Sequence, residues 1–232
     1  LALSTVLLGV LLLAIYRWRL GSLRRRASEL EEVIEQRTSA LREQTDRLLE
    51  SDREKSILVA RLKQQSEDFE RMALEDALTG IGNRRNLDVR LAETFERALE
   101  TRQPLSFALF DIDEFKRIND NYSHAAGDLA LRAVASALRD GIGSRGSIAR
   151  WGGEEFAALF EGMPLEEARL LCEQLRERVQ AIDCSEFAPG WSMTISGGVT
   201  ERTGLSHHEK LVSRADALLY EAKRAGRNRI CG

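Results

Sequence analysis

The chain has 232 residues, of which 43% are hydrophobic and 31% are charged, and its formal net charge is −3. This length accommodates one large domain, or a smaller domain with appended segments. The slight excess of acidic residues argues against a protein that coats nucleic acid, so we expect no nucleic-acid partner; a nucleotide can still be bound by locally clustered charge. The three cysteines, Cys172, Cys184 and Cys231, form no CxxC pair, which is typical of free thiols in a reducing compartment.

Residues 1–20 form an apolar run that ends in aromatic and basic residues. Leu1 to Ile15 carries no charge, and Tyr16, Trp18 and several arginines follow. This order is typical of the cytoplasmic end of a membrane-spanning helix. The run is shorter than the ~20 residues that span a bilayer, and the chain begins with Leu, so we expect a truncated span. We predict a transmembrane or membrane-proximal helix at a bacterial inner membrane, with the rest of the chain in the cytoplasm; the alternative is a packing helix of a cytoplasmic protein.

Residues 21–73 are predicted to form a coiled-coil stalk, because residues 23–72 contain neither Pro nor Gly and are rich in charge. Apolar residues recur in this range with heptad spacing, at Leu30, Ile34, Leu41, Leu48, Leu58, Leu62, Phe69 and Met72. A single solvated helix would leave this row exposed, so we predict a parallel homodimer. Polar residues on the same seam, such as Arg37, Gln44 and Ser51, predict a register that a membrane signal or a regulatory protein on the stalk adjusts.

The predicted globular part begins with a helix and a buried strand. Residues 84–100 are predicted to be helical because apolar residues recur every four positions. The apolar run at residues 105–110 has the pattern of a buried strand. It ends in Asp111, Ile112 and Asp113, which places two carboxylates at the rim of the predicted sheet, where ligands bind in α/β proteins.

A second pair of acids follows two adjacent glycines. Gly152 and Gly153 lie between two β-like runs, which predicts a tight hairpin, since Gly adopts positive φ without a steric penalty. Glu154 and Glu155 then lie side by side at its tip; the alternative is a solvated acidic loop. If this hairpin pairs with the strand before Asp111, three carboxylates converge without His or Cys. Such a set favours a hard cation, so we predict Mg²⁺, with Mn²⁺ as the second choice.

The remaining predicted elements alternate around this hairpin. They are helices at residues 114–121, 127–139, 164–181 and 208–224, a strand at residues 191–200 and a short edge strand at residues 229–230. Within the strand, Gly197 and Gly198 mark a bulge or a close backbone approach. The mixture of helices and hairpins predicts an α/β sandwich around a largely antiparallel sheet.

Taken together, these stretches resemble the GGDEF-domain diguanylate cyclases. The matching blocks are residues 152–156, which show the GGEEF form of the signature, residues 76–84 (the D-x-L-T-G-x-x-N-R opening), residues 110–128, residues 196–198 and residues 215–228. Their order and spacing agree over residues 74–232. The resemblance implies a palm-like fold of the nucleotidyl-cyclase type, preceded here by the long coiled-coil helix. It also implies that two GTP molecules are condensed into cyclic di-GMP, with release of two pyrophosphates, when two domains meet in the dimer.

The resemblance assigns metal and catalytic roles to the acids. Asp111, the backbone carbonyl of Ile112 and Glu154 match the metal-binding positions. Glu154 also matches the catalytic carboxylate, and Glu155 is expected to support the metal or the attacking hydroxyl. For Asp113 a role at the metal and a role as cap of the following helix both stay open.

Further residues match substrate-binding positions of the family. They are Leu78, Asn119 and Asp128 around the guanine base, His124 at another substrate-side position, and Lys116, Lys223 and Arg227 at the phosphates. His124 has the alternative of fixing its loop through a hydrogen bond. Lys223 and Arg227 are four residues apart, which predicts that they share a face of the last helix; the alternative is an ordinary solvated helix end.

The chain departs from the family pattern at two places. Ser123 replaces the glycine that precedes the histidine, which would strain the loop if that position needs positive φ. Gly143 and Gly146 replace the Arg and Asp of the family's inhibitory product site, so we expect no inhibition through that site.

Two alternatives to an active cyclase follow from the same residues. The first is a degenerate GGDEF domain that binds GTP or cyclic di-GMP as a regulatory module. The second is a membrane-tethered scaffold whose functional part is the stalk. The matches at Asp111, Asn119 and Glu154 favour the enzyme.

Overall fold

The computed structural model describes the backbone of residues 2–232 and the side chains of residues 15–67, 69 and 72–232. The chain divides into two compact units, Leu1–Ser66 and Glu67–Gly232. Helix α1 runs without interruption from Ala2 to Leu74. This confirms a long helix where the stalk was predicted, since nothing in residues 23–72 breaks helical hydrogen bonding.

The apolar row of α1 is not covered by other parts of the first unit. Leu30, Leu41, Leu48 and Leu62 are each between 56% and 63% exposed. The coiled-coil dimer itself stays a prediction.

The membrane prediction rests on residues that are largely outside the description. Among the described residues, no helix is both long and apolar enough to cross a membrane. The side chains of residues 1–14, which make up nearly all of the apolar run, lie outside the described part.

The second unit is built on one six-stranded mixed sheet. Its strands are β1 (Gly82–Asn83), β2 (Leu105–Ile112), β3 (Ser147–Arg150), β4 (Glu155–Glu161), β5 (Ile195–Glu201) and β6 (Ile230–Cys231). They lie in the order β1-β3-β4-β2-β5-β6. The four central strands pair antiparallel, and the edge strands β1 and β6 pair parallel to their neighbours. The predicted α/β fold with a largely antiparallel sheet is therefore confirmed.

Helices cover both faces of this sheet. They are α2 (Arg84–Thr101), α3 (Phe115–Asn121), α4 (His124–Ile142), α5 (Leu165–Gln180) and α6 (His208–Arg224). Helices α2 and α6 enclose one buried apolar cluster, and α3, α4 and α5 enclose the other. Every residue of β2 is buried, as expected for a central strand with helices on both faces.

Several predicted boundaries were wrong. Strand β5 begins at Ile195 and not at residue 191. Helix α4 begins at His124 and not at residue 127, because Ser123 Oγ accepts a hydrogen bond from the amide of Ala126 and caps the helix. Ser123 has φ 168°, which is ordinary extended backbone, so its replacement of glycine causes no strain.

Gly198 determines how closely α6 packs on the sheet. A Cβ atom at this position would lie 2.1 Å from the carbonyl oxygen of Ala215 and 2.4 Å from the amide nitrogen of Leu219. The predicted close approach is confirmed, and glycine is required because no side chain fits between strand and helix. This contact brings the C-terminal end of α6 beside the end of β2.

Candidate functional site

The acids of β2 and of the hairpin meet at one end of the sheet. Asp111 lies opposite Glu155 in the antiparallel register, and the amide of Ile112 donates to the carbonyl oxygen of Glu154 at 3.3 Å. The predicted pairing of the two acidic stretches is therefore present. The hairpin differs in its turn, because the connection spans Trp151–Glu154 and neither of its glycines has positive φ.

Lys223 of α6 neutralises the more buried of these acids. Its Nζ lies 2.7 Å from Asp111 Oδ2, and the Asp111 side chain is only 7% exposed. A buried carboxylate needs such a partner, since an uncompensated charge would be strongly destabilising.

The pKa values of Asp111 and Glu154 are both raised above their ordinary values. Burial raises the pKa of Asp111; Lys223 opposes this rise, and the charge of Asp113 adds to it. Burial and the nearby charge of Asp111 raise the pKa of Glu154. Ionising both carboxyl groups therefore costs free energy, because both are partly removed from water and lie near other negative charges. An additional cation would lower that cost.

The donor set fits a hard divalent cation, although it is smaller than the sequence predicted. Within the described part of the chain, no group of three or more His, Cys, Asp and Glu side chains is arranged to hold a metal ion. Two carboxylates, those of Asp111 and Glu154, lie near each other and beside the backbone of Ile112. Mg²⁺ commonly uses one or two protein carboxylates and completes its shell with water and phosphate oxygens.

Of the substrate-binding residues predicted on this side, Asn119, His124 and Asp128 come from α3 and α4, and Leu78 precedes β1. A Cβ atom at Gly127 would lie 2.1 Å from Asn119 Oδ1, so this glycine makes the space into which the Asn119 amide fits. Asp128 is the next residue and is exposed, as is His124 at the start of α4. Leu78 is half-buried against the core, and these four residues lie on the α3–α4 side of the sheet.

The residues predicted at the phosphates come from α3 and from the chain around the end of α6. Lys116 is exposed on α3, and Lys223 is on α6. Arg227 is not on the helix as predicted, because α6 ends at Arg224; Arg227 lies in the following loop with φ 63°.

Asp113 does not cap α3. The N-cap position belongs to Glu114, which makes no capping hydrogen bond with its side chain. Asp113 instead accepts hydrogen bonds from Thr194, Ser196 and Asn228. Sequence reasoning missed this role because all three donors are distant in the chain.

Arg150 joins the acidic hairpin to the segment that follows α1. Its guanidinium donates two hydrogen bonds of 3.2 Å to the carboxylate of Asp76 and reaches the carbonyl oxygen of Gly153 at 2.7 Å. Thr79 donates to Asp76 from its amide and its hydroxyl, at 2.9 and 2.7 Å. Asp76 and Thr79 belong to the D-x-L-T stretch, and Arg150 precedes the signature, but no pattern in the sequence predicts that Asp76 and Arg150 are in contact.

The two positions of the inhibitory product site have backbone and packing that suit glycine. Gly143 has φ 56°, a conformation that other residues rarely adopt. A Cβ atom at Gly146 would lie 2.7 Å from the carbonyl oxygen of Leu159. Nearby, Arg145 folds back onto the carbonyl of Ile142 at 3.4 Å.

Comparison with known proteins agrees with this geometry. The family described as "Diguanylate cyclase, GGDEF domain" matches residues 73–229. The diguanylate cyclase DgcP of Pseudomonas aeruginosa is 42% identical over 164 residues, covering 71% of this chain and 24% of DgcP. The diguanylate cyclase VdcA of Vibrio cholerae is 38% identical over 182 residues, covering 75% of this chain and 51% of VdcA. The chain thus spans from about a quarter to about half of the length of these relatives.

Two solved structures are also similar. The coiled coil and GGDEF domain of DgcB from Caulobacter crescentus, in complex with c-di-GMP, has a TM-score of 0.72 at 32% identity and covers 77% of this chain and 95% of that one. The diguanylate cyclase SiaD from Pseudomonas aeruginosa, in complex with its activator SiaC, has a TM-score of 0.66 at 31% identity and covers 91% of this chain and 83% of that one.

The contact between Asp76 and Arg150 predicts a pH-dependent stability. Burial raises the pKa of Asp76, but the hydrogen bonds of Thr79 and the charge of Arg150 outweigh it and leave this pKa below its ordinary value. A carboxyl group with a lowered pKa stabilises the fold at neutral pH, and this contribution is lost as the pH falls through the folded-state pKa. We expect Asp76→Asn to lower the free energy of unfolding at pH 7 by about 1–3 kcal/mol.

Urea unfolding at a series of pH values between about 7 and 3 measures this difference. The difference between the parent and Asp76→Asn should shrink toward the acidic end. Asp88→Asn is the matched control, since Asp88 is 49% exposed and lies 3.6 Å from Arg84, an exposed pair that contributes little. A difference for Asp76→Asn that is the same at every pH would contradict the electrostatic role.

Proposed function

The chain belongs to the family of diguanylate cyclase GGDEF domains, and from this membership and the site geometry we propose that it condenses two GTP molecules into cyclic di-GMP and two pyrophosphates. The observation that carries the proposal is the meeting of Asp111 and Glu154 beside the ammonium group of Lys223. This end of the sheet offers oxygen ligands for a cation and positive charge for phosphates in one place. The remaining substrate-binding residues match positions of the family, which supports the same activity.

We assign the substrate contacts as follows. Asn119 and Asp128 pair with the hydrogen-bonding edge of guanine, with Leu78 against the base and His124 beside it. Lys116 and Arg227 contact the phosphates. Lys223 lies 2.7 Å from Asp111 in the structure, and we assign it to the triphosphate as well.

Asp111, the carbonyl oxygen of Ile112 and Glu154 would hold Mg²⁺, with Mn²⁺ as the second choice. The ion would neutralise charge on the triphosphate and on the leaving pyrophosphate. Asp111 and Glu154 suit this role because burial has already made their unneutralised charges costly.

The reaction is displacement at phosphorus. The 3′-hydroxyl of one GTP attacks the α-phosphate of the other; a bond from the 3′-oxygen to phosphorus forms, the bond to the β-phosphate oxygen breaks, and pyrophosphate leaves. Such a step depends mainly on positioning and on neutralisation of charge. We assign Glu154 as the carboxylate that accepts the hydroxyl proton, with Glu155 holding the hydroxyl in place.

Product analysis tests the activity. The purified chain incubated with GTP and Mg²⁺ should form cyclic di-GMP, and Glu154→Ala should lower the rate by at least about a hundredfold, because it removes both a cation ligand and the proton acceptor. Glu161→Ala serves as the matched control, since Glu161 ends strand β4, which begins directly after Glu154. Binding of GTP without turnover by the parent would contradict the cyclase and would favour a regulatory module.

Each domain holds one GTP, so two domains must meet face to face. We propose that the stalk arranges this encounter as a parallel coiled-coil dimer, which raises the effective concentration of one domain near the other. The exposed heptad row of α1 supports the proposal, because an isolated helix would gain nothing from such a row.

The adjacent leucines Leu48 and Leu49 test the dimer in the full chain. They are equally exposed, at 63% and 64%, but Leu48 lies on the heptad seam and Leu49 lies off it. Leu48→Asp should lower the dimer fraction in sedimentation and lower the cyclase rate per molecule at low protein concentration, since it buries a charge in the seam. Leu49→Asp should leave both unchanged. Equal effects of the two variants would refute the predicted seam.

Regulation through the stalk is part of the proposal. The structure of SiaD, which was solved with its activator, covers 91% of this chain. This share is larger than residues 67–232 alone, so the match extends into the stalk. Within the second unit, the carbonyls of Ala73 and Leu74 accept hydrogen bonds from Asn83 and Asn86. A change at this end of α1 can reach the hairpin through Asp76 and Arg150. We therefore propose a partner protein or a membrane signal that acts on the stalk; attachment to a bacterial inner membrane through residues 1–20 stays a prediction from the sequence.

The proposed cyclase lacks feedback through the family's inhibitory product site. Gly143 and Gly146 offer neither the guanidinium nor the carboxylate that would bind the product. The cyclase rate should stay constant as cyclic di-GMP is added up to about ten times the enzyme concentration. Inhibition of the parent at submicromolar product would contradict this expectation.

A further inference from the structure

Asp113 has its full set of hydrogen bonds although it lies in the acidic region. Its side chain is buried, with 6% of the residue exposed. Oδ1 accepts from Ser196 Oγ at 2.7 Å, and Oδ2 accepts from Thr194 Oγ1 at 2.7 Å and from the amide of Asn228 at 3.1 Å. Both oxygens are therefore engaged by donors, which is how a buried carboxylate is satisfied without a cation.

The amide bonded to Asp113 belongs to an unusual loop. Gly226, Arg227 and Asn228 have φ values of 110°, 63° and 47°, three consecutive residues in the left-handed region. Non-glycine residues in this region cost about 1 kcal/mol each and persist only where their surroundings hold them. This loop therefore needs external anchors.

Anchors reach the loop from three directions. The Asn228 side chain accepts from Arg176 at 2.8 Å and donates to Gln180 at 3.3 Å, both on α5. The Arg227 amide donates to the carbonyl of Ala222 at 3.1 Å. Asp113 supplies a further anchor from the end of β2, and it is the only charged side chain bonded to the backbone of Asn228 among the described residues. The Arg229 side chain also donates to the carbonyl of Arg227, at 3.1 Å.

Asp113, Arg227 and Asn228 line one cavity of about 380 Å³, whose lining also includes Arg117 and Trp191. The loop thus brings the backbone of Arg227 to an open space large enough for phosphate groups. We propose that Asp113 is a positioning residue for the triphosphate site, which holds Arg227 at this cavity through the amide of Asn228. The inference rests on the proposed function, because it takes Arg227 to be a phosphate contact.

The chemistry of Asn distinguishes this role from a role as metal ligand. An Asn side chain keeps one acceptor oxygen, which can face Thr194 and Asn228, and its amide group can face Ser196, whose hydroxyl can turn to accept. Asp113→Asn therefore preserves most of the hydrogen bonds, whereas Asp113→Ala removes them all. A metal ligand would lose its function in both variants, since a neutral amide binds a hard cation poorly and a methyl group does not bind it at all.

The first readout is amide hydrogen exchange of Asn228 in the nucleotide-free full chain. Exchange should be at least about tenfold faster in Asp113→Ala, because a hydrogen bond to a charged group is lost, and within about threefold of the parent in Asp113→Asn. Glu114→Ala is the matched control, since Glu114 lines the same cavity and makes no bond to the loop backbone. Unchanged exchange in Asp113→Ala would overturn the inference.

The second readout is affinity for the unreactive α,β-methylene analogue of GTP with Mg²⁺. Asp113→Ala should weaken binding about tenfold, and it should add little to Arg227→Ala, because it acts through Arg227. Additive losses, or a shift in the Mg²⁺ concentration needed for binding in Asp113→Asn, would overturn the inference in favour of a metal role.

The inference stays testable if Asp113→Ala does not fold, and also if the parent does not bind the analogue. If Asp113→Ala does not fold, Thr194→Val and Ser196→Ala each remove one donor and should give smaller changes in the same direction; no change in Asn228 exchange from either would count against the inference. If the parent fails to bind the analogue, the proposed function is wrong, while the exchange measurement still decides whether Asp113 holds the loop.

Discussion

The contact of 2.7 Å between Asp111 and Lys223 is the constraint on which the rest of the site depends. Strand β2 is buried along its whole length, so an acid at its end is largely removed from water and needs a positive partner. That partner comes from α6, which reaches the end of β2 only because Gly198 allows helix and strand backbones to touch. The hairpin then adds Glu154, whose pKa is raised by burial and by the nearby charge of Asp111. One end of the sheet thus holds two acids that attract a cation and a lysine that the cation can replace.

Groups that do not touch substrate hold this arrangement in place. Arg150 fixes the carbonyl of Gly153 and at the same time binds Asp76, shortly after α1 ends. Asp113 fixes the loop that carries Arg227. The two sides of the site are therefore supported by separate charge-assisted hydrogen bonds, one leading to the stalk end of the domain and one to α5.

Local patterns in the sequence predicted the parts of the fold whose causes are local. A continuous apolar run predicted the buried strand β2, the absence of Pro and Gly predicted the long helix α1, and apolar residues at every fourth position predicted α2. The roles at the site came from resemblance to the family, because no spacing in the chain shows which acids meet. Contacts between distant segments were missed, including the three donors to Asp113. Strand β1 was missed because two residues show no period, and Arg227 was misplaced because its left-handed loop follows a regular helical pattern.

The most direct measurement is a crystal structure of the full chain with Mg²⁺ and the α,β-methylene analogue of GTP. We predict that a cation is bound by Asp111, Glu154 and the carbonyl oxygen of Ile112. We also predict that Lys223 Nζ contacts a phosphate oxygen instead of Asp111. A bound analogue with Lys223 still 2.7 Å from Asp111 and no cation between the two acids would contradict it.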